Sequence, residues 1–220
     1  MKLKYCFKTI TEVLLDLIYP KHCAICQKTI FFYTSVAVCS KCSSINLKPK
    51  VIRDDRHAFD EAICALEYKD TAREAMTKYK FKSIKYYASA YAWIIDKVTA
   101  DRAYLKEAVL CPTPLSMSRD RAYNQTDLIA RELAGMWQSD YIPDLLHRCR
   151  EVSPLSKMKL PERKFNIKDA VDVSPKYDIY GKDIVLIDDI FTSGTTADEC
   201  ARTLKMYGAR RVYVLCAMYD

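Results

Sequence analysis

Glycine is scarce in this chain, with only four among 220 residues. That excludes a dinucleotide-binding fingerprint, which needs three spaced glycines between a strand and a helix. No Gly-Lys-Ser or Gly-Lys-Thr sequence occurs either, so a nucleoside-triphosphate loop of that kind is absent. No apolar run approaches the ~18 residues of a membrane helix, and membrane insertion is not expected. Residues 1–20 place Lys2, Lys4 and Lys8 ahead of Val13-Leu14-Leu15, but Glu12 and Asp16 interrupt the run and no small-residue cleavage site follows. The stretch reads as a short amphipathic helix in a cytoplasmic protein, not as a secretion signal.

What is abundant is cysteine, ten residues in all. Without a secretion signal these are not expected to form disulfides. Six (Cys6, Cys64, Cys111, Cys149, Cys200, Cys216) are scattered, several inside apolar runs, and read as reduced core residues. The other four form two knuckles, Cys23-Ala24-Ile25-Cys26 and Cys39-Ser40-Lys41-Cys42, twelve residues apart. Each knuckle supplies two thiolates, the ligand pattern of a structural four-cysteine zinc ribbon with no open position for catalysis. His22 reads as a neighbour of the ligands, because four cysteines already complete the set. So small a module buries little, and zinc binding of ~10–16 kcal/mol would supply its folding energy. Residues 1–50 are therefore expected to form a helix and zinc ribbon, and 51–220 a second domain. The linker is expected within Asn46–Asp55, where the composition turns polar.

The second domain alternates strands and helices. Phe59–Leu66, Ala108–Cys111, Leu145–Arg148, Ala170–Val173 and Arg211–Cys216 read as further strands, and residues 86–99 and those following Asn124-Gln125 as helices. Such alternation predicts a doubly wound α/β parallel sheet. The net charge of +7 favours anionic ligands. Residues 68–85 hold six basic and two acidic residues among Tyr68, Tyr79 and Phe81. They read equally as a solvated helix face or as a basic, aromatic rim for single-stranded nucleic acid, with Lys78, Lys80 and Lys82 as its candidates. Residues 148–168 carry seven basic residues against Glu151 and Glu162, and read as plain surface or as a lid closing over pyrophosphate.

One stretch organises the rest. Ile184-Val185-Leu186-Ile187 is an uninterrupted apolar run, the signature of a strand buried on both faces, and it stops at Asp188 and Asp189, where the strand is expected to end. Thr192-Ser193-Gly194-Thr195-Thr196 then forms a hydroxyl-rich turn, and a helix begins at about Thr195 and ends at Gly208. A turn opening a helix offers unpaired N–H groups and a positive dipole end, and phosphate is the usual anion there. Two acids ahead of such a cradle suit a ribose 5-phosphate, whose hydroxyls they would accept. Arg119 and Arg121, between the Pro112-Thr113-Pro114 turn and the next helix, could meet a second phosphate such as a pyrophosphate.

The run Val185–Thr196 resembles the phosphoribosyl-pyrophosphate (PRPP) motif of type I phosphoribosyltransferases. Together with the cysteine knuckles, Pro112-Thr113-Pro114-Leu115, Arg121-Ala122-Tyr123-Asn124-Gln125 and Arg163 with Asn166, the chain resembles the ComF family. It departs from that family at Ala122, which stands for a glycine, in a shorter Leu115–Arg121 segment, and at Val152 and Leu155, which stand for Thr and Gln. The resemblance implies that Thr192–Thr196, with Arg119 and Arg121, bind PRPP. It also implies that Asp188 and Asp189 hold the ribose hydroxyls at the catalytic centre and that Mg²⁺ arrives with the pyrophosphate. Two functions stay open. One is phosphoribosyl transfer, for which no general base stands out and the nucleophile is unassigned. The other is a non-catalytic accessory role in competence, handling incoming single-stranded DNA beside a DNA-uptake helicase and recombination proteins. A third reading treats PRPP or a nucleotide as a regulatory ligand.

Overall fold

The computed structural model describes residues 19–30, 36–115, 123–150 and 167–220. The expected first helix, residues 31–35 between the cysteine knuckles, Arg119, Arg121 and residues 151–166 of the basic segment lie outside them.

The described chain opens with a two-residue hairpin, β1 (Lys21–His22) and β2 (Thr29–Ile30), and a short helix α1 (Ser40–Ser43). There follow β3 (Lys50–Ile52), β4 (Glu61–Glu67), α2 (Asp70–Phe81), α3 (Tyr87–Val98), a 3₁₀ turn (Ala103–Glu107) and β5 (Val109–Pro112). Then come α4 (Gln125–Trp137), β6 (Leu146–Arg148), β7 (Val171–Val173), β8 (Asp183–Phe191), α5 (Thr195–Met206) and β9 (Arg211–Tyr219). The main sheet has the order β3-β4-β9-β8-β5, with β4, β9, β8 and β5 mutually parallel and β3 antiparallel at one edge.

Side-chain alternation along the central strands divides the core in two. Val185 and Ile187 face α2, α3 and α4, where Met76, Ile94, Ile129 and Leu133 are buried. Ile184 and Leu186 face α5, where Ala197, Cys200 and Leu204 close the other side. Helices thus cover both faces, the doubly wound class the alternation predicts. These four apolar residues of β8 are wholly buried, each contributing roughly 1.5–3 kcal/mol.

Three details differ from the sequence reading. The polar Asn46–Asp55 stretch contains an edge strand, β3, whose Val51 and Ile52 are too short a run to announce it. β6 and β7 do not join the main sheet; they pair antiparallel with each other, Arg148 opposite Val171. And β8 does not stop at Asp188, because its pairing with β9 continues as far as Phe191 and Tyr219.

Candidate functional site

Because β8 runs on through the acid pair, its two carboxylates point to opposite sides of the sheet. Asp188 lies on the α5 side. Its Oδ1 accepts from the Asp189 N–H at 2.9 Å and from Thr113 Oγ1 at 3.1 Å. Burial first, and the neighbouring Asp189 charge second, push its pKa up to about 7. Asp189 lies on the α2 side, where Lys80 Nζ donates to its Oδ1 at 2.7 Å.

The register of α2 is set by the segment that opens α4. Asn124 is the N-cap residue, its Oδ1 accepting from Thr126 N at 3.2 Å while its Nδ2 donates to Thr113 O at 3.1 Å. Thr126 Oγ1 also donates to Thr113 O, at 2.9 Å. Gln125 Nε2 donates to Lys80 O at 3.2 Å, and Tyr79 OH returns a bond to Gln125 O at 2.7 Å. Tyr123 OH donates to Tyr79 O. The Tyr123-Asn124-Gln125 segment therefore binds the end of β5 with one residue and the end of α2 with two. It places Thr113 beside Asp188 and Lys80 beside Asp189.

Beyond Phe191 the turn tightens at Gly194, whose φ of +70° lies in the left-handed region that favours glycine, and a Cβ there would meet Phe191 Cζ at 2.6 Å. Ser193 Oγ and Thr195 Oγ1 share a hydrogen bond of 2.8 Å, and Thr195 begins α5. His57 lies against this turn. Its Nδ1 is 2.8 Å from Asp54 Oδ1 and its ring stacks on Phe59 at 4.6 Å, which leaves Nε2 facing Gly194. Sequence reasoning missed His57, since a histidine in a polar loop carries no signal of what the fold sets beside it. The structure brings Asp188, Asp189 and the 192–196 turn together, with Thr113, Lys80 and His57 around them.

The three candidate lysines part company. Lys78 Nζ bonds Glu74 at 2.7 Å and Gln27 Oε1 at 2.9 Å, and Lys80 is engaged with Asp189. Lys82 stands exposed just past α2, next to Phe81, which is 60% exposed.

The four cysteines Cys23, Cys26, Cys39 and Cys42 converge, all four Sγ atoms lying within 4.8 Å of one another. Among the described residues they form the one such group able to hold a metal ion, and His22 is not part of it. Gln27 turns the first knuckle at φ +60°, its N–H bonding Cys23 O at 3.0 Å. Burial pushes the Cys23 and Cys42 thiols up, so a cation is what would hold them as thiolates. The cluster packs directly on α2 and α3. Cys23, Ala24, Ile25 and Val38 share the core of Met76 and Tyr87, Thr71 Oγ1 donates to Ile25 O at 2.9 Å, and Gln27 Nε2 donates to Tyr87 OH at 2.9 Å.

No family model matches the chain. Among curated proteins it is similar to competence protein F of Haemophilus influenzae, 25% identical over 127 residues, which cover 56% of this chain and 55% of that protein. It is also similar to competence protein ComFC of Bacillus subtilis, 30% identical over 143 residues, 62% of this chain and 55% of that one. The chain has ComF competence proteins among its relatives. The matched segment spans about half the length of those relatives. Among solved structures, the Bacillus subtilis glutamine PRPP amidotransferase aligns with a TM-score of 0.42 at 18% identity, over 64% of this chain and 30% of that one. Among the described residues no helix is long and apolar enough to cross a membrane.

Proposed function

We propose that this ComF relative binds a ribose 5-phosphate ligand, PRPP in the first instance, at the end of β8, with Mg²⁺ carried in on the pyrophosphate. The observation that carries this reading is the sequence of parts along one strand-turn-helix unit. Two carboxylates on divergent sides of β8 lead into a hydroxyl-bearing turn whose left-handed backbone at position 194 favours glycine, and the turn opens α5. Ser193, Thr195 and Thr196 with the free N–H groups of the turn suit the 5-phosphate. Asp188 and Asp189 suit the ribose hydroxyls, and Arg119 and Arg121 a pyrophosphate. Transfer would proceed by stabilising an oxocarbenium-like sugar as pyrophosphate leaves.

Residues 1–50 form, in this reading, a zinc module docked on a ligand-binding domain of residues 51–220. Tetrahedral zinc with bonds of about 2.3 Å sets sulfurs about 3.8 Å apart, and Cys26 Sγ and Cys39 Sγ are 3.6 Å apart. The ion would be structural.

The deciding experiment is a thermal melt of the full chain with Mg²⁺-PRPP. The ligand should raise the melting temperature, and Asp188→Asn with Asp189→Asn should abolish the rise; an unchanged curve for the parent protein sinks the assignment. A PRPP-consumption assay across nucleobases and ammonia then tests transfer.

A second reading has an observation in its favour. Phe81 and Lys82 form an exposed aromatic and basic pair at the end of α2, and the named relatives are competence proteins. Single-stranded DNA would stack on Phe81 without any turnover. Salt-dependent oligonucleotide binding that survives neutralisation of Lys78, Lys80 and Lys82 would exclude this surface.

A further inference from the structure

Arg148 is the last residue of β6 and shares its inward face with Leu146, which is buried against α5 and the sheet. Its guanidinium has Cys200 of α5 and Asp188 of β8 among its neighbours, and of the two only Asp188 offers a negative charge, since burial keeps the Cys200 thiol protonated. Neither supplies a hydrogen bond. Nε and Nη1 are shut off from solvent and have no partner among the described residues. Asp188 Oδ1 is already taken by the Asp189 N–H and by Thr113.

A guanidinium in that state is costly, because two of its nitrogens have lost water and gained no partner. Burial accordingly depresses its pKa. A purely architectural residue at this position would be apolar like Leu146, or would be paired like Arg202, whose guanidinium meets Glu199 and Asp169 at 2.7 Å. Unpaired N–H donors on a guanidinium close to the proposed ribose-phosphate site fit an oxyanion, and a planar guanidinium suits the spaced oxygens of a phosphate better than a point charge does.

We propose that Arg148 is a ligand-binding residue, its unpartnered guanidinium N–H groups donating to phosphate oxygens of the molecule held by Asp188 and the 192–196 turn. This rests on the ribose-phosphate reading above and adds to it a contact made from β6, outside the PRPP motif. The phosphate is either the 5-phosphate of the sugar or the pyrophosphate, and the two are separable.

The test is calorimetric titration of the full chain, as wild type, Arg148→Met and Arg148→Lys, with Mg²⁺-PRPP, ribose 5-phosphate and Mg²⁺-pyrophosphate in turn, beside thermal melts without ligand. Arg148→Met should weaken binding by about tenfold or more, the loss expected for one charge-assisted hydrogen bond, and Arg148→Lys should lose less. Ligand-free Arg148→Met should melt at or above the wild type, since an unpaired buried charge has given way to an apolar chain of similar length. A loss confined to the two pyrophosphate-bearing probes places the contact on the pyrophosphate, and a loss shared by ribose 5-phosphate places it on the 5-phosphate; either supports the proposal. Unchanged affinity in Arg148→Met overturns it, most plainly if that variant also melts lower, which is the signature of a structural arginine. Wild-type protein that takes none of the three probes overturns the ribose-phosphate reading and this one together.

Discussion

Lys80 Nζ lies 2.7 Å from Asp189 Oδ1, with the two side chains only 13% and 11% exposed. The pair joins α2 to the end of β8, and α2 is the same helix that the four-cysteine cluster grips through Thr71 and Lys78. The cluster and the acid pair are thus two ends of one packed element.

Breaking that ion pair leaves a buried carboxylate without its cation. Lys80→Ala should lower stability by about 3 kcal/mol, read from urea denaturation. Adding Asp189→Asn should recover much of the loss, because the stranded charge goes with it; a double variant no better than the single one would mean that Lys80 acts through packing alone.

Asp188 titrates near neutrality, its pKa pushed up to about 7. An acid whose folded pKa exceeds its unfolded value binds an extra proton in the folded state, so its contribution is greatest at low pH and declines as pH rises through that window. Relative to wild type, Asp188→Asn should gain stability as pH climbs from about 4 to about 7 and hold that gain above. Denaturation curves for both proteins across this range provide the check, and a difference independent of pH contradicts the assignment.

Gly194 sits where a side chain is strained. With φ at +70° and Phe191 Cζ only 2.6 Å from where a Cβ would stand, Gly194→Ala should cost about 1–2 kcal/mol from backbone strain alone. Its larger effect should be on ligand: the melting rise with Mg²⁺-PRPP should vanish while the circular dichroism of the fold is kept. An unaltered rise would detach the turn from the phosphate.

Metal removal should reach the rest of the molecule. Purified protein should carry about one zinc per chain, and Cys23→Ser should lose it. Since Cys23 and Ile25 share the core of α2 and α3, chelation should lower the melting temperature of the whole chain and not merely loosen its first residues. Undiminished zinc in Cys23→Ser would refute the four-cysteine site.

Much of this was written in local chemistry. The apolar run of β8, the glycine in its turn and the two cysteine knuckles each declare themselves within about twenty residues, because strand burial, turn geometry and metal spacing are local constraints. The sheet class followed from the alternation of strands and helices. What stayed hidden depended on residues far apart in the chain. Lys80 looked like one basic residue among six until the packing of α2 set it against Asp189, 109 positions away. His57 carried no pattern at all, and only the fold lays it beside Gly194, with Asp54 holding its other ring nitrogen. Even the acid pair changed meaning: the sequence placed two carboxylates in tandem, but whether they cooperate on one face depends on where β8 ends, and that is decided by β9. Its backbone carries the ladder as far as Phe191, with Asp188 set against Thr113 and Asp189 against Lys80.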